Sequence, residues 1–334
     1  MKYLVNDNRH SQLNKQHTPA QTQIDALGRG VGRRNFGDCE VKEMTAQSAL
    51  TDFTMRGHAS GMAWSLNPYV GCLHGCRYCY VPKTMHVERA RWGAYVIVKH
   101  NLPTLLRKEL EEKPKLTVFV STSTDPYQPI EAERRLTRSA LQLLARKDWP
   151  VDILTRSPLV TRDIDVFKGF RRVRVGLSVP TIDDEVRRMI EPNAPPVAAR
   201  LDALRKLGRA GLTAYANYTP AYPGTGFTAS DVAKTFKDVG VQWVNTTAWR
   251  YQSGYLGRMF DDLKGTKFAQ LSRFVGSPLR QGLFRKQLDK AFADEGLRLR
   301  TGFFNPPFPD EPVRTPRFQD VLAETMVSAN RPCS

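Results

Sequence analysis

Asn67-Pro68-Tyr69-Val70-Gly71-Cys72-Leu73-His74-Gly75-Cys76-Arg77-Tyr78-Cys79-Tyr80 puts three thiols into eight residues, at the spacing C-x3-C-x2-C. Thiolates at this spacing can converge from one loop on a soft metal centre. Three of them satisfy three irons of a cubane cluster. No fourth cysteine lies nearby, so one iron is left open as a Lewis-acid site. The alternative is a structural zinc with His74 or His86 as fourth ligand. Zinc sites usually draw their ligands from two separate knuckles, and a second knuckle is absent here. Cys39 and Cys333 stand alone, in a polar tail and beside the C-terminus, and read as incidental thiols.

Around this loop the chain alternates β-rich and helical stretches. Strands are predicted over Ala63–Asn67, Leu116–Ser121, Val151–Thr155, Val173–Val179, Leu212–Tyr218 and Val241–Thr247. Helices are predicted over Leu102–Glu112, Glu131–Arg146, Val160–Phe170, Val197–Ala210, Ala229–Asp238 and Leu279–Ala293. Ser230-Asp231 suits an N-cap, and Gly211 suits the end of the helix before it. Six strands alternating with helices predict an α/β fold with a parallel sheet and right-handed crossovers, either an open doubly wound sheet or a partial barrel. Residues 1–60 read as a polar, flexible N-terminal extension, 61–248 as the core, and 249–334 as a C-terminal extension packing on it.

The chain has 334 residues, with 50 Lys and Arg against 33 Asp and Glu, a net charge of +17. Hydrophobic residues make up 41%, enough to fill a core, which excludes a disordered chain. Five cysteines exclude a disulfide scaffold. No apolar run reaches about 18 residues, and the N-terminus lacks a signal-peptide core, so a cytoplasmic protein with no membrane partner is expected. The charge points to an anionic partner, with DNA or RNA first. It is spread along the chain: +2 over residues 1–60, +5 over 115–180 and +6 over 249–319.

The triple-cysteine motif, with Tyr78 before the third cysteine, resembles the radical S-adenosylmethionine (SAM) superfamily. Its wider context resembles the spore-photolyase-like, DNA-repair-related branch. So do Thr124-Asp125-Pro126-Tyr127-Gln128-Pro129, Leu136-Thr137-Arg138, Arg162-Asp163-Ile164-Asp165 and Glu191-Pro192. The resemblance runs from about residue 60 to 248. It implies a partial (β/α)6 TIM-type barrel, and a 4Fe–4S cluster on Cys72, Cys76 and Cys79. It also implies an enzyme in which one electron, from a donor such as flavodoxin or ferredoxin, cleaves S-adenosylmethionine. The 5′-deoxyadenosyl radical released then takes hydrogen from a substrate. In barrels the reacting groups sit at the C-terminal ends of strands.

The resemblance assigns candidate cofactor contacts there. Ser121, Ser123 and Asp125 would face the methionine amino group, with a turn or cap as the local alternative. Arg156 would bind the methionine carboxylate through two parallel hydrogen bonds. Ser178 would touch the same cofactor, and Glu191 its amine or ribose. Asn217 would reach the adenine or substrate, whereas Tyr218 suits the core. Gly224 and Gly226 lack the rest of a phosphate-loop pattern and read as a turn. Spore photolyases proper carry a hydrogen-donating cysteine shortly after the second strand. This chain has Ser121-Thr122-Ser123, and a hydroxyl is a poor hydrogen-atom donor. Three readings follow: radical chemistry on nucleic acid, the same chemistry on a nucleotide or biosynthetic intermediate, or a non-catalytic metal-stabilised nucleic-acid-binding protein.

Overall fold

A computed structural model describes residues 34–36, 39–53, 64–223, 226–247, 268–275, 277–302, 305 and 308. Cys333, Gly224 and the basic stretch 28–33 lie outside the described residues. Eight strands form the main sheet. They are β3 (Leu50–Asp52), β4 (Trp64–Leu66), β7 (Val118–Val120), β8 (Val151–Thr155), β9 (Val173–Ser178), β10 (Ala214–Asn217), β11 (Trp243–Thr246) and β12 (Arg298–Thr301). The order is β12-β11-β10-β9-β8-β7-β4-β3, parallel throughout except for the antiparallel β3 edge. All six expected strands are present, β12 extends the parallel set, and among the described residues the two edge strands, β12 and β3, do not pair with each other.

Alternation along the strands sorts the side chains onto two faces. Leu66, Val120, Ile153, Val175, Ala214 and Val244 join the large apolar core. That core also takes Leu102, Leu106 and Leu110 of α2 (Leu102–Glu112), and Leu204 and Leu207 of α7 (Val197–Arg209). These leucines recur at helical spacing, so each helix buries one stripe on the sheet. The residues between them occupy the opposite face. There Phe119, Leu154 and Tyr215 form a smaller cluster with Trp243 packed against it. Tyr215 pairs in register with Gly176, and its ring crosses that glycine so that its hydroxyl donates to Asp152 Oδ1 at 2.7 Å. A Cβ at residue 176 would lie 2.3 Å from Tyr215 Cζ. Gly176→Ala is therefore expected to displace the Tyr215 ring and destabilise the fold by about 1–3 kcal/mol, read as a lowered midpoint of denaturant unfolding.

A smaller sheet holds β1 (Arg34–Phe36), β2 (Cys39–Met44), β6 (Tyr95–Lys99) and β5 (Tyr69–Val70), in the order β1-β2-β6-β5. Residues 34–36, 39–44 and 50–52 thus form strands where the sequence suggests a flexible extension. The cause is tertiary. Glu109 on α2 accepts the Ala49 and Leu50 amides at 2.9 and 2.8 Å. The Asn101 side chain bonds Ala46 N and O at 2.8 and 2.9 Å.

Two predicted helices are each divided. Residues 131–146 split into α3 (Glu131–Arg134) and α4 (Leu136–Arg146) at Arg135, whose φ is 51°. Residues 158–167 form a 3-10 turn followed by α5 (Ile164–Phe167). The remaining helices are α1 (Val81–Thr84), α6 (Asp184–Ile190), α8 (Ala229–Asp238), α9 (Ala269–Val275) and α10 (Pro278–Asp294). The cap of α8 is Thr228, which forms a capping box with Asp231, rather than Ser230. Gly211 follows α7 with φ +79°, as expected. Among the described residues no helix is long and apolar enough to cross a membrane.

Candidate active site

The parallel strands end on one edge of the sheet, and the cysteine loop leaves β5 beside that edge. Cys72 and Cys76 are buried and Cys79 is half-buried. The loop is held from several sides. Gln128 accepts Leu73 N at 2.9 Å and donates to Gly71 O and to Thr124 Oγ1. Arg89 donates to the carbonyls of Cys76 and Cys79. Gly75 lies against Gly93, where a Cβ on residue 93 would come within 2.9 Å of Gly75 Cα, so only glycine lets the two segments approach. Asn67 ties β4 to the loop after β7 by accepting the amides of Thr122 and Ser123, both at 2.9 Å.

Burial disfavours the thiolates: it raises the pKa of Cys72 and Cys79 and pushes Cys76 up to about 12. Among the described residues, no group of three or more His, Cys, Asp and Glu side chains is gathered to hold a metal ion. His74, a candidate zinc ligand, is instead buried, with Nε2 3.4 Å from Asp125 Oδ2.

The residues expected at the strand ends do gather there, in different roles. Ser178, Asn217 and Asn245 are lateral neighbours in register, and Arg156 follows the last residue of β8 beside them. Ser178 Oγ is buried and meets no hydrogen-bonding group of the described residues. A buried hydroxyl without a protein partner suits a bound polar ligand. Ser121 Oγ reaches Leu66 O at 3.4 Å, and Ser123 contributes its amide to Asn67.

Asp125 differs from the expectation of a cofactor contact. Its Oδ1 accepts from Thr155 Oγ1 at 2.6 Å and Tyr127 N at 2.9 Å, and its Oδ2 accepts Arg156 N at 2.8 Å and faces His74. Burial raises its carboxyl pKa, but His74 and the Thr155 hydroxyl outweigh that and bring it down to about 2. The carboxylate is committed to joining the end of β8 to the loop after β7.

Glu191 also differs. Both its oxygens are taken by Arg156, Arg200 and Tyr78, so the protein itself occupies the groups assigned to a cofactor amine or ribose. Burial alone would raise its pKa; Arg200 first, then Arg156, reverse this and bring it to about 2. Arg200 lies inside an amphipathic helix among many basic residues, and its complete burial has no local signal in the sequence. Tyr218 is core, as expected.

The remaining motif blocks lock onto one another. Buried Asp163 takes Arg138 at 2.7 Å, Arg162 at 2.8 Å and the Tyr127 hydroxyl at 3.0 Å. Buried Glu131 takes Arg162 at 2.8 Å and the Tyr69 hydroxyl.

The radical SAM superfamily model matches residues 66–239, about half of the chain. The chain belongs to the radical SAM superfamily. Members are enzymes that use a 4Fe–4S cluster and S-adenosylmethionine. An uncharacterized protein of Methanocaldococcus jannaschii is 36% identical over 165 residues, covering 49% of this chain and 62% of that one. A radical SAM Nalpha-GlyT isomerase of Pseudomonas phage M6 is 24% identical over 191 residues, covering 56% of this chain and 39% of that one. The match therefore spans less than two thirds of either relative. Among solved structures, a spore photoproduct lyase complexed with dinucleoside spore photoproduct has the same fold, with a TM-score of 0.57 at 14% identity over 79% of this chain and 82% of that one.

Proposed function

We propose that Cys72, Cys76 and Cys79 hold a 4Fe–4S cluster, and that the chain is a radical SAM enzyme acting on nucleic acid. The observation that carries this is the three-cysteine loop at the C-terminal edge of a parallel sheet, with Cys76 Sγ 3.9 Å from Glu191 and Arg156 bonded to the same carboxylate. The donor set fits: three thiolates coordinate three irons and leave the fourth for the cofactor. When bound, cluster and cofactor supply a radical that removes hydrogen from the substrate, using one electron from a donor such as flavodoxin or ferredoxin. The chain's own residues bind, orient and exclude water. Arg156 offers a guanidinium to the methionine carboxylate, Ser178 offers its hydroxyl, and Ser121, Ser123 and Asn217 line the adjoining strand ends.

Several observations support a nucleic-acid substrate. The net charge is +17. Arg77, Tyr80 and Lys83 are exposed in and just after the cysteine loop. Cations interleaved with an exposed aromatic ring suit a phosphate backbone and a stacked base. The lyase that shares the fold was solved with a dinucleoside bound. The Ser121-Thr122-Ser123 stretch lacks a thiol, which favours repair or modification of some other nucleic-acid site.

Anaerobic reconstitution with iron and sulfide tests the reading. The reduced protein, given S-adenosylmethionine, is expected to release 5′-deoxyadenosine, and more of it with DNA or RNA than with mononucleotides. Stimulation by nucleotides alone would transfer the reading to a small substrate. One zinc per chain and no cleavage would overturn the radical reading. Arg156→Ala is expected to weaken cofactor binding by about 10- to 100-fold, the range of a charge-assisted hydrogen-bonded pair. Arg156→Lys should also weaken it, because an ammonium cannot bond Glu191 and Tyr78 and still present a further fixed N–H, as the planar guanidinium does. Unchanged affinity in Arg156→Ala would return that residue to a structural role.

A further inference from the structure

Glu191 and Arg200 are both fully buried. Glu191 Oε1 accepts from Arg156 Nε at 2.7 Å and from the Tyr78 hydroxyl, and lies 3.9 Å from Cys76 Sγ. Oε2 is 2.6 Å from Arg200 Nη1. That same Nη1 donates to Ser178 O at 2.9 Å, and Arg200 Nε and Nη2 donate to Pro195 O at 2.9 and 2.8 Å. Arg200 therefore pins Glu191 to the end of β9. Arg156 Nη2 donates to the Tyr78 hydroxyl at 3.0 Å. With Nε and Nη2 engaged, Nη1 donates to no described residue, and the side chain is 21% exposed. A second carboxylate, Asp125, lies on the other side of Arg156 and accepts its backbone amide at 2.8 Å.

We infer that Glu191 is a positioning residue, anchored by Arg200, that fixes the Arg156 guanidinium so that Nη1 is presented to the carboxylate of the bound cofactor. This rests on the role proposed above for Arg156. The geometry follows from rigidity: a planar guanidinium held at Nε and Nη2 cannot rotate, so the direction of its last N–H pair is set before any ligand arrives. Glu191 acts only through Arg156, and the two should therefore be energetically coupled.

A double-mutant cycle on reconstituted protein tests this. S-adenosylmethionine affinity is measured by equilibrium dialysis, and the cofactor-induced change in the electron paramagnetic resonance spectrum of the reduced cluster is recorded alongside. Glu191→Gln is expected to weaken binding on the order of tenfold, with iron and sulfide content unchanged and the spectral change shifted to higher cofactor concentration. In an Arg156→Ala background, Glu191→Gln is expected to cost nothing further. Equal binding by Glu191→Gln and wild type overturns the inference, and so do losses that multiply. If Glu191→Gln does not fold, Tyr78→Phe replaces it under the same criterion, since it removes the hydroxyl bridging Glu191 and Arg156. A wild-type protein that binds no S-adenosylmethionine overturns the functional reading together with this inference. A wild type that binds normally, beside an uncoupled variant, overturns the inference alone.

Discussion

Alanine at Cys76 is expected to abolish S-adenosylmethionine cleavage and to leave the reconstituted protein short of iron. Cys76 is 3% exposed and sits between the other two thiols of its loop, with Glu191 within 3.9 Å. Its thiol, pushed up to about 12 by burial, gains nothing by ionising in a dry site unless a cation takes the charge. Iron of the proposed cluster would supply that charge, so that metal uptake and deprotonation would be one event. Cys72→Ala and Cys79→Ala are expected to behave alike, because a cubane held by two thiolates has lost an anchor and exposes a second iron. Cys39→Ala is the control. It lies outside the triple motif in sequence and its Sγ donates only a weak hydrogen bond, to Gly93 O at 3.4 Å, so iron content and cleavage should stay at wild-type levels. The measurements are iron and sulfide per chain and 5′-deoxyadenosine released. Full activity in Cys76→Ala would refute the assignment.

Binding to a short DNA or RNA is expected to fall steeply with salt. Neutralising about six phosphates releases their counterions, a gain that shrinks as salt rises, so affinity should fall on the order of a thousandfold between 50 and 200 mM salt. The net charge of +17 supplies cations enough for that many contacts over the chain as a whole. Position decides how many of them reach the site. Arg77 and Lys83 flank the exposed Tyr80 next to the third cysteine. Arg138 and Arg162 are spent on buried Asp163 and Glu131 and are not available to a phosphate. Titrations of duplex and single strand at two salt concentrations check the expectation. Binding that is absent at low salt, or flat across the range, removes nucleic acid as the substrate and leaves the cysteine chemistry untouched.

The spacing C-x3-C-x2-C and the six apolar runs were readable because both are local. A loop carrying three thiols in eight residues has few other uses, and a strand buried on both faces reads as a short run dominated by apolar and β-branched residues. The strands therefore fall where they were expected, from Trp64–Leu66 to Trp243–Thr246. The elements that were not readable depend on partners far away in the chain. Residues 39–44 and 50–52 look polar, and they form strands because β6 pairs with the first and because Glu109 and Asn101 capture the amides of Ala46, Ala49 and Leu50 beside the second. A helix expected over 131–146 is broken at Arg135, in a left-handed conformation that no residue type nearby announced.

The same division runs through the site. The sequence by itself determined the family, the thiols and the strand ends that carry Ser178, Arg156 and Asn217, because each follows from spacing or from the two-residue period of a strand. It also named Glu191 and Asp125, but it gave them a ligand to hold. Only the tertiary structure decided that Asp125 binds His74, Thr155 and the Arg156 amide, and that Glu191 lies between Arg156 and Arg200. The physical reason is desolvation. A carboxylate removed from water takes the nearest cation or N–H that folding brings within reach. For Glu191 that cation, Arg200, comes from another helix and is fixed by the packing of the whole sheet.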